Sequence, residues 1–137
     1  MSNIQEFDHA CALIFDRLYE DFPMRIDITA SELGFFDRNH SSSRPREILS
    51  ATFCFLADEG YIDFDRASDN MATKTDIRLT SKGLSRLQRV PAGVQDASKP
   101  LIEQLKEAFD SVGRSASSAA VAGATKKILL LIFGGGA

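Results

Sequence analysis

The sequence predicts a mainly α-helical domain that carries a small β-hairpin (α+β). Several segments repeat apolar residues at helical spacing, and two short segments alternate apolar and polar residues on either side of a polar stretch. The chain has 137 residues, of which 44% are hydrophobic and 26% are charged. That length and composition suit one compact domain with an appendage and exclude a chain that is disordered throughout.

The first ninety residues begin with a helix, a short strand and a brief second helix. Apolar residues from Ile4 to Phe22 recur every three or four positions, and Pro23 ends this first helix. Residues 24–28 alternate as a strand does. Thr29 and Glu32 then form a capping box, which predicts the start of the second helix.

A third helix is predicted from Ser43-Arg44-Pro45 to Gly60, because serine caps a helix start and proline suits the first turn. On a helical wheel one wide arc contains Ile48, Leu49, Thr52, Phe53, Phe55 and Leu56. The opposite arc contains Arg46, Glu47, Ser50, Cys54 and Ala57. The first arc is expected to face the core and the second to face outward.

A hairpin and a fourth helix follow. Residues 61–65 alternate as one strand, Ile77 and Leu79 mark a second strand, and the polar span 67–75 separates the two. The next helix is expected to point Lys82, Arg86 and Arg89 outward. The predicted core is Leu49, Phe53, Leu56, Ile62, Ile77 and Leu79, together with Ile14 and Leu18.

The character of the chain changes after Val90, which gives a domain at 1–90, a linker at 91–99, a helical segment at 100–133 and a flexible tail at 134–137. The segment 100–133 carries an apolar stripe formed by Leu101, Leu105, Phe109 and Val112, and an apolar run at 128–133. Exposed apolar patches of this kind favour self-association, so a homo-oligomer through 100–133 is predicted. In the alternative, the segment folds back on the first helix of its own chain near Leu13 and Tyr19.

Charge is segregated along a chain whose net charge is −3. Residues 38–50 carry three bases and one acid, and residues 71–90 carry five bases and one acid. Two basic islands inside an acidic protein are able to attract a polyanion locally. This pattern favours a nucleic-acid contact at the third helix or after the hairpin.

Two short motifs flank the predicted hairpin: Leu56-Ala57-Asp58-Glu59-Gly60-Tyr61-Ile62 before it and Leu79-Thr80-Ser81-Lys82-Gly83 after it. The first resembles the junction between recognition helix and wing in bacterial winged-helix regulators of the MarR and PadR type, and the second resembles their junction after the wing. The helix-strand-helix-helix-hairpin order is that of a winged helix-turn-helix. The resemblance covers residues 25–90, and the tail after Pro91 looks like that of small bacterial and phage winged-helix proteins only in general pattern.

The resemblance implies double-stranded DNA as the partner, with the third helix in the major groove and the tip at 67–76 near the minor groove or the backbone. By position, the residues implied in DNA binding are Arg38, His40, Ser43, Arg44, Arg46, Glu47, Ser50, Lys74, Arg78 and Lys82. The arginine fork suits guanine or phosphate. Serine and backbone amides at a helix start suit a phosphate.

No pattern of catalytic or metal-binding residues is recognisable, so neither an enzyme nor a cofactor is expected. The two cysteines, Cys11 and Cys54, suit reduced thiols, and no segment suits a signal peptide or a membrane span, which together predict a cytoplasmic protein. Two functions remain open. One is a DNA-binding transcriptional regulator that acts as a homodimer, and the other is a winged helix used as a protein-interaction or assembly module.

Overall fold

The computed structural model describes residues 3–33, 44–67, 73–90, 99–113 and 117–134. The elements in chain order are α1 (Asn3–Asp21), β1 (Ile26–Thr29), α2 (Ala30–Leu33), α3 (Arg44–Asp58), β2 (Ile62–Asp63), β3 (Thr73–Leu79), α4 (Ser81–Gln88), α5 (Leu101–Val112) and α6 (Ser118–Gly134). The predicted class, mainly helical with a small amount of sheet, is confirmed.

The three strands form one antiparallel sheet in the order β1-β3-β2. In the hairpin, Ile62 pairs with Leu79 and Asp63 pairs with Arg78. On the other edge of β3, Ile26 of β1 pairs with Ile77. The hairpin predicted from the sequence therefore gains a third strand, β1, which pairs with the free edge of β3.

The core lies where α1, α3 and the sheet meet, and all eight residues predicted for it are buried. Helix α1 is buried on more than one face, since α3, α5 and α6 all pack against it. Its middle carries Ala10, Cys11 and Ala12, which are fully buried. Side chains this small allow neighbouring helices to approach closely.

Helices α5 and α6 pack against α1 within the same chain, as the alternative to self-association expected. Leu101, Leu105 and Phe109 of the apolar stripe are fully buried. Lys106 of α5 forms ion pairs with Asp16, at 3.1 Å, and with Glu20 of α1. Most of the apolar residues that predicted self-association are thus buried or half-buried inside one chain, although Leu130 of the 128–133 run is 61% exposed. The oligomeric state stays a prediction.

Helix α3 departs from the predicted wheel at Phe55, which is 44% exposed rather than buried. Its ring lies edge-on to Phe7, with centroids 5.2 Å apart, and edge-on to Phe133 of α6 at 6.3 Å. Phe55 lies at the edge of a wide apolar arc, and the Phe133 ring packs against those of Phe15 and Tyr61, with centroids 5.9 and 5.3 Å away. The space beside Phe55 is therefore occupied by Phe133, which lies 78 positions later in the sequence.

Candidate nucleic-acid interface

The first turns of α3 present polar residues as the sequence predicts. Arg46 and Glu47 are exposed, and Ser50 is half-buried. Arg44 begins the helix, although its side chain lies outside the described part of the structure. Arg38, His40 and Ser43, implied at the approach to this helix, also lie outside the described residues.

The resemblance implies that Lys74 is a wing residue that contacts DNA, but its side chain is buried. It is only 2% exposed, and its Nζ donates a hydrogen bond to Ser50 Oγ at 2.7 Å. The contact with DNA implied for Lys74 is corrected to an internal one, because a bulge in β3 turns this side chain toward α3. Among the ten implied residues, Ser50 and Lys74 are thus brought together.

Arg78 keeps a place on the outward side of the sheet, between the buried residues Ile77 and Leu79. It is half-buried and lies opposite Asp63 in the hairpin. Within the described ranges, neither Arg78 nor Arg46 takes part in an ion pair. These two guanidinium groups remain available to an external acceptor.

Lys82 holds the junction between α3 and β2. Its Nζ donates to the Glu59 carbonyl oxygen at 2.8 Å and lies 4.6 Å from the centroid of the Tyr61 ring. A cation above an aromatic face is stabilised by the ring quadrupole. The side chain is nevertheless exposed, so it combines an internal role with access to solvent.

The second junction motif, residues 79–83, contains two residues with identifiable structural roles, Thr80 and Gly83. Thr80 Oγ1 accepts the Gly83 amide at 3.0 Å, which caps α4, and donates to the Gly60 carbonyl oxygen at 2.5 Å. A Cβ at Gly83 would overlap the carbonyl of Tyr61. The threonine and the glycine therefore fix how α4 leaves the sheet.

The other two bases of the predicted outward stripe hold the end of α6. Arg86 Nη1 donates to the Ile132 carbonyl oxygen at 3.1 Å, and Arg89 Nη2 donates to that of Leu131 at 2.5 Å. The last carbonyls of a helix have no partner within the helix, and cations near them are favourable. The basic stripe on α4 is therefore used, in large part, to cap the C-terminal helix.

Two further arginines that the sequence reasoning missed pair with an acid of the sheet and with an acid at the end of α3. Arg25 forms an ion pair with Asp63 at 3.0 Å, and Arg66 forms one with Asp58 at 2.7 Å. The predicted alternation of residues 24–28 places Arg25, which lies just before β1, on the side opposite the core face. That alternation could have predicted the outward orientation of Arg25. The ion pair of Arg66 could not be predicted, because it depends on the turn after β2.

Three titratable groups with perturbed pKa values, Asp8, His9 and Cys11, lie on α1. His9 Nδ1 lies 2.8 Å from Ser118 Oγ, and burial lowers the pKa of His9 to about 4. Burial raises the pKa of Asp8, against the opposing charge of Lys126. Burial also raises the pKa of the Cys11 thiol, with the charge of Asp8 adding to it, so the reactive thiolate is disfavoured.

Two other kinds of feature are absent from the described part of the chain. Its helices include none that combines the length and apolar character required to cross a membrane. Nor do its histidine, cysteine and carboxylate side chains gather in a group of three or more able to hold a metal ion.

Comparisons of the chain with protein-family models, curated proteins and solved structures found no match.

Proposed function

We propose that this chain is a small winged-helix DNA-binding protein, with α3 as the recognition helix and the β2–β3 connection as the wing. The single observation that carries the proposal is topological: the order α1-β1-α2-α3-β2-β3 with sheet order β1-β3-β2 is the arrangement expected of a winged helix. It is supported by the exposed Arg46 and Glu47 on the first turns of α3. The proposed role is that of a transcriptional regulator, and the proposed setting is the cytoplasm, where thiols such as Cys11 and Cys54 stay reduced.

Charge pairing supports the same function despite the negative net charge. Asp63 and Asp58 are each matched by an arginine, Arg25 and Arg66 respectively. Internal pairing reduces the repulsion that these carboxylates would exert on DNA phosphates. Arg46 and Arg78 then supply the attractive charge near the sheet and α3.

A salt series tests the proposal directly. Fluorescence anisotropy with the full chain and a labelled random-sequence duplex should show binding at low salt whose affinity falls steeply as salt rises, because phosphate contacts release counterions. Lys127 is exposed on α6, outside the proposed interface, so Lys127→Ala serves as the control and should bind as the wild type does. Absence of binding at low salt would exclude the function.

Binding as a homo-oligomer is part of the proposal, because half-sites in DNA are normally read by symmetric pairs. The apolar stripe of α5 is already covered, so a dimer would use another surface. Sedimentation velocity of the full chain at micromolar concentration, with and without duplex DNA, should give a dimer in at least one condition. A monomer in both would remove this part of the proposal.

A protein-interaction or assembly module is the second candidate, and one observation favours it. Phe55 is exposed on α3 beside Phe7 and Phe133, and Ile4, one turn before Phe7, is 57% exposed. Aromatic side chains at a surface are typical of protein contacts rather than phosphate contacts. If the salt series shows no binding to DNA, Phe55→Ser is the variant to compare with the wild type in partner searches.

A further inference from the structure

The bulge in β3 decides which side chains point toward α3. Ile26 pairs with Ile77 and Ile28 pairs with Lys74, so two steps along β1 match three steps along β3. The extra residue lies at or next to Asp76, whose φ of +54° is in the left-handed region. In a regular strand with Ile77 facing inward, Thr75 would also face inward. The bulge turns Lys74 inward instead.

The buried ammonium group of Lys74 contacts α3 from the interior of the protein. Its Nζ donates to Ser50 Oγ and lies 6.0 Å from the centroid of the Phe64 ring. Ser50 is one helical turn after Arg46 and is only half-buried, so its hydroxyl lies between the interior and the exposed face. Lys74, at 2% exposure, has no route to a DNA phosphate.

The hydrogen bond fixes the chemical role of the serine. An ammonium group only donates, so Ser50 Oγ is the acceptor in this contact and its own proton remains available. No described residue takes that proton, and in particular no hydrogen bond links Ser50 to the Arg46 carbonyl. Ser50 is thus prepared as a donor for an external acceptor.

We infer that Lys74 is a positioning residue that holds Ser50 as a hydrogen-bond donor toward an acceptor on a DNA base edge, so that the pair sets sequence preference rather than general affinity. This inference rests on the proposed function. Base edges in the major groove offer acceptors at guanine N7 and O6, adenine N7 and thymine O4. Phosphate contacts carry no such sequence information.

The test separates sequence preference from phosphate binding. A preferred duplex is first selected from a random library with the full wild-type chain, and affinity is then measured for that duplex and for a permuted duplex of equal composition. Ser50→Ala and Lys74→Met should each reduce the ratio of the two affinities by about tenfold. Neither should change the slope of log affinity against log salt, because neither side chain contacts a phosphate. The double variant should lose no more than the larger single effect, since the two residues act as one unit.

Several results would overturn the inference. A salt slope that falls by about 0.9 in Lys74→Met would assign Lys74 to a phosphate. An unchanged affinity ratio in Ser50→Ala would exclude base reading by the serine, and this variant decides the test if Lys74→Met fails to fold. A wild type that binds duplexes with a steep salt slope but selects no sequence would defeat the inference and leave the proposed function standing. A wild type that binds no duplex would defeat both.

Discussion

Arg25, just before β1, and Asp63 on β2 are joined by an ion pair of 3.0 Å that spans the central strand β3. The same guanidinium donates through Nη1 to the Asp76 carbonyl oxygen at 2.8 Å. On the β1 side of the same bulge, Asp27 Oδ1 accepts the Asp76 amide at 3.0 Å. One arginine and one carboxylate thus hold the bulge that turns Lys74 toward α3.

Removal of the Arg25–Asp63 pair should cost little stability, because both side chains are partly exposed. We expect a coupling free energy of about 0.5 kcal/mol from a double-mutant cycle of Arg25→Ala and Asp63→Ala, measured by urea unfolding. A coupling of zero at low salt would mean that the pair contributes nothing to the fold.

Truncation of Leu56 to Ala should lower the free energy of unfolding by about 2–5 kcal/mol, since this fully buried side chain would leave a cavity among α1, α3 and the sheet. Ile4→Ala, at an exposed position on α1, is the matched control and should change it by less than about 0.5 kcal/mol. Urea unfolding measures both. A loss below about 1 kcal/mol at Leu56 would contradict the core described above.

Gly83→Ala should destabilise the chain by about 1–3 kcal/mol, because the added Cβ overlaps the Tyr61 carbonyl and forces the backbone to shift. Ser85→Ala provides the control in the same helix, at an exposed position. Thermal unfolding followed by circular dichroism compares the two variants. Equal melting temperatures would show that α4 is able to move away from β2 without cost.

Acidification should weaken the fold through His9. Its pKa is lowered to about 4 in the folded chain and is about 6.5 when unfolded, so the unfolded state binds more protons between these values. The stability that depends on neutral His9 is therefore present above pH 6.5 and is lost as the pH falls toward 4, by an amount on the order of 3 kcal/mol.

The matched variant for this pH dependence is His9→Gln, which keeps a polar group near Ser118 but does not titrate. The difference in unfolding free energy between wild type and variant, measured from pH 7 to pH 4, removes the opposite contribution of Asp8, whose pKa is raised. A difference that stays constant with pH would show that His9 is not held neutral by burial.

Local patterns predicted most of the helices and the core, because apolar spacing and caps act within a few residues. They did not predict the orientation of Lys74, since the bulge at Asp76 appears only when β1 pairs with β3. The exposure of Phe55 has a similar origin, because Phe133 competes for the same space from the other end of the chain. From the sequence alone, Arg86 and Arg89 are predicted to form a solvated basic stripe. Their role as caps of α6 depends on the packing of α6 against α4, which local patterns do not contain.

The central claim is that α3 binds DNA through its first turn, and the double variant Arg44→Ala/Arg46→Ala tests it most directly. Anisotropy with a random-sequence duplex at low salt should show an affinity reduced at least about tenfold, with the melting temperature unchanged and with Lys127→Ala equal to the wild type. A double variant that folds normally and binds DNA as tightly as the wild type would contradict the account.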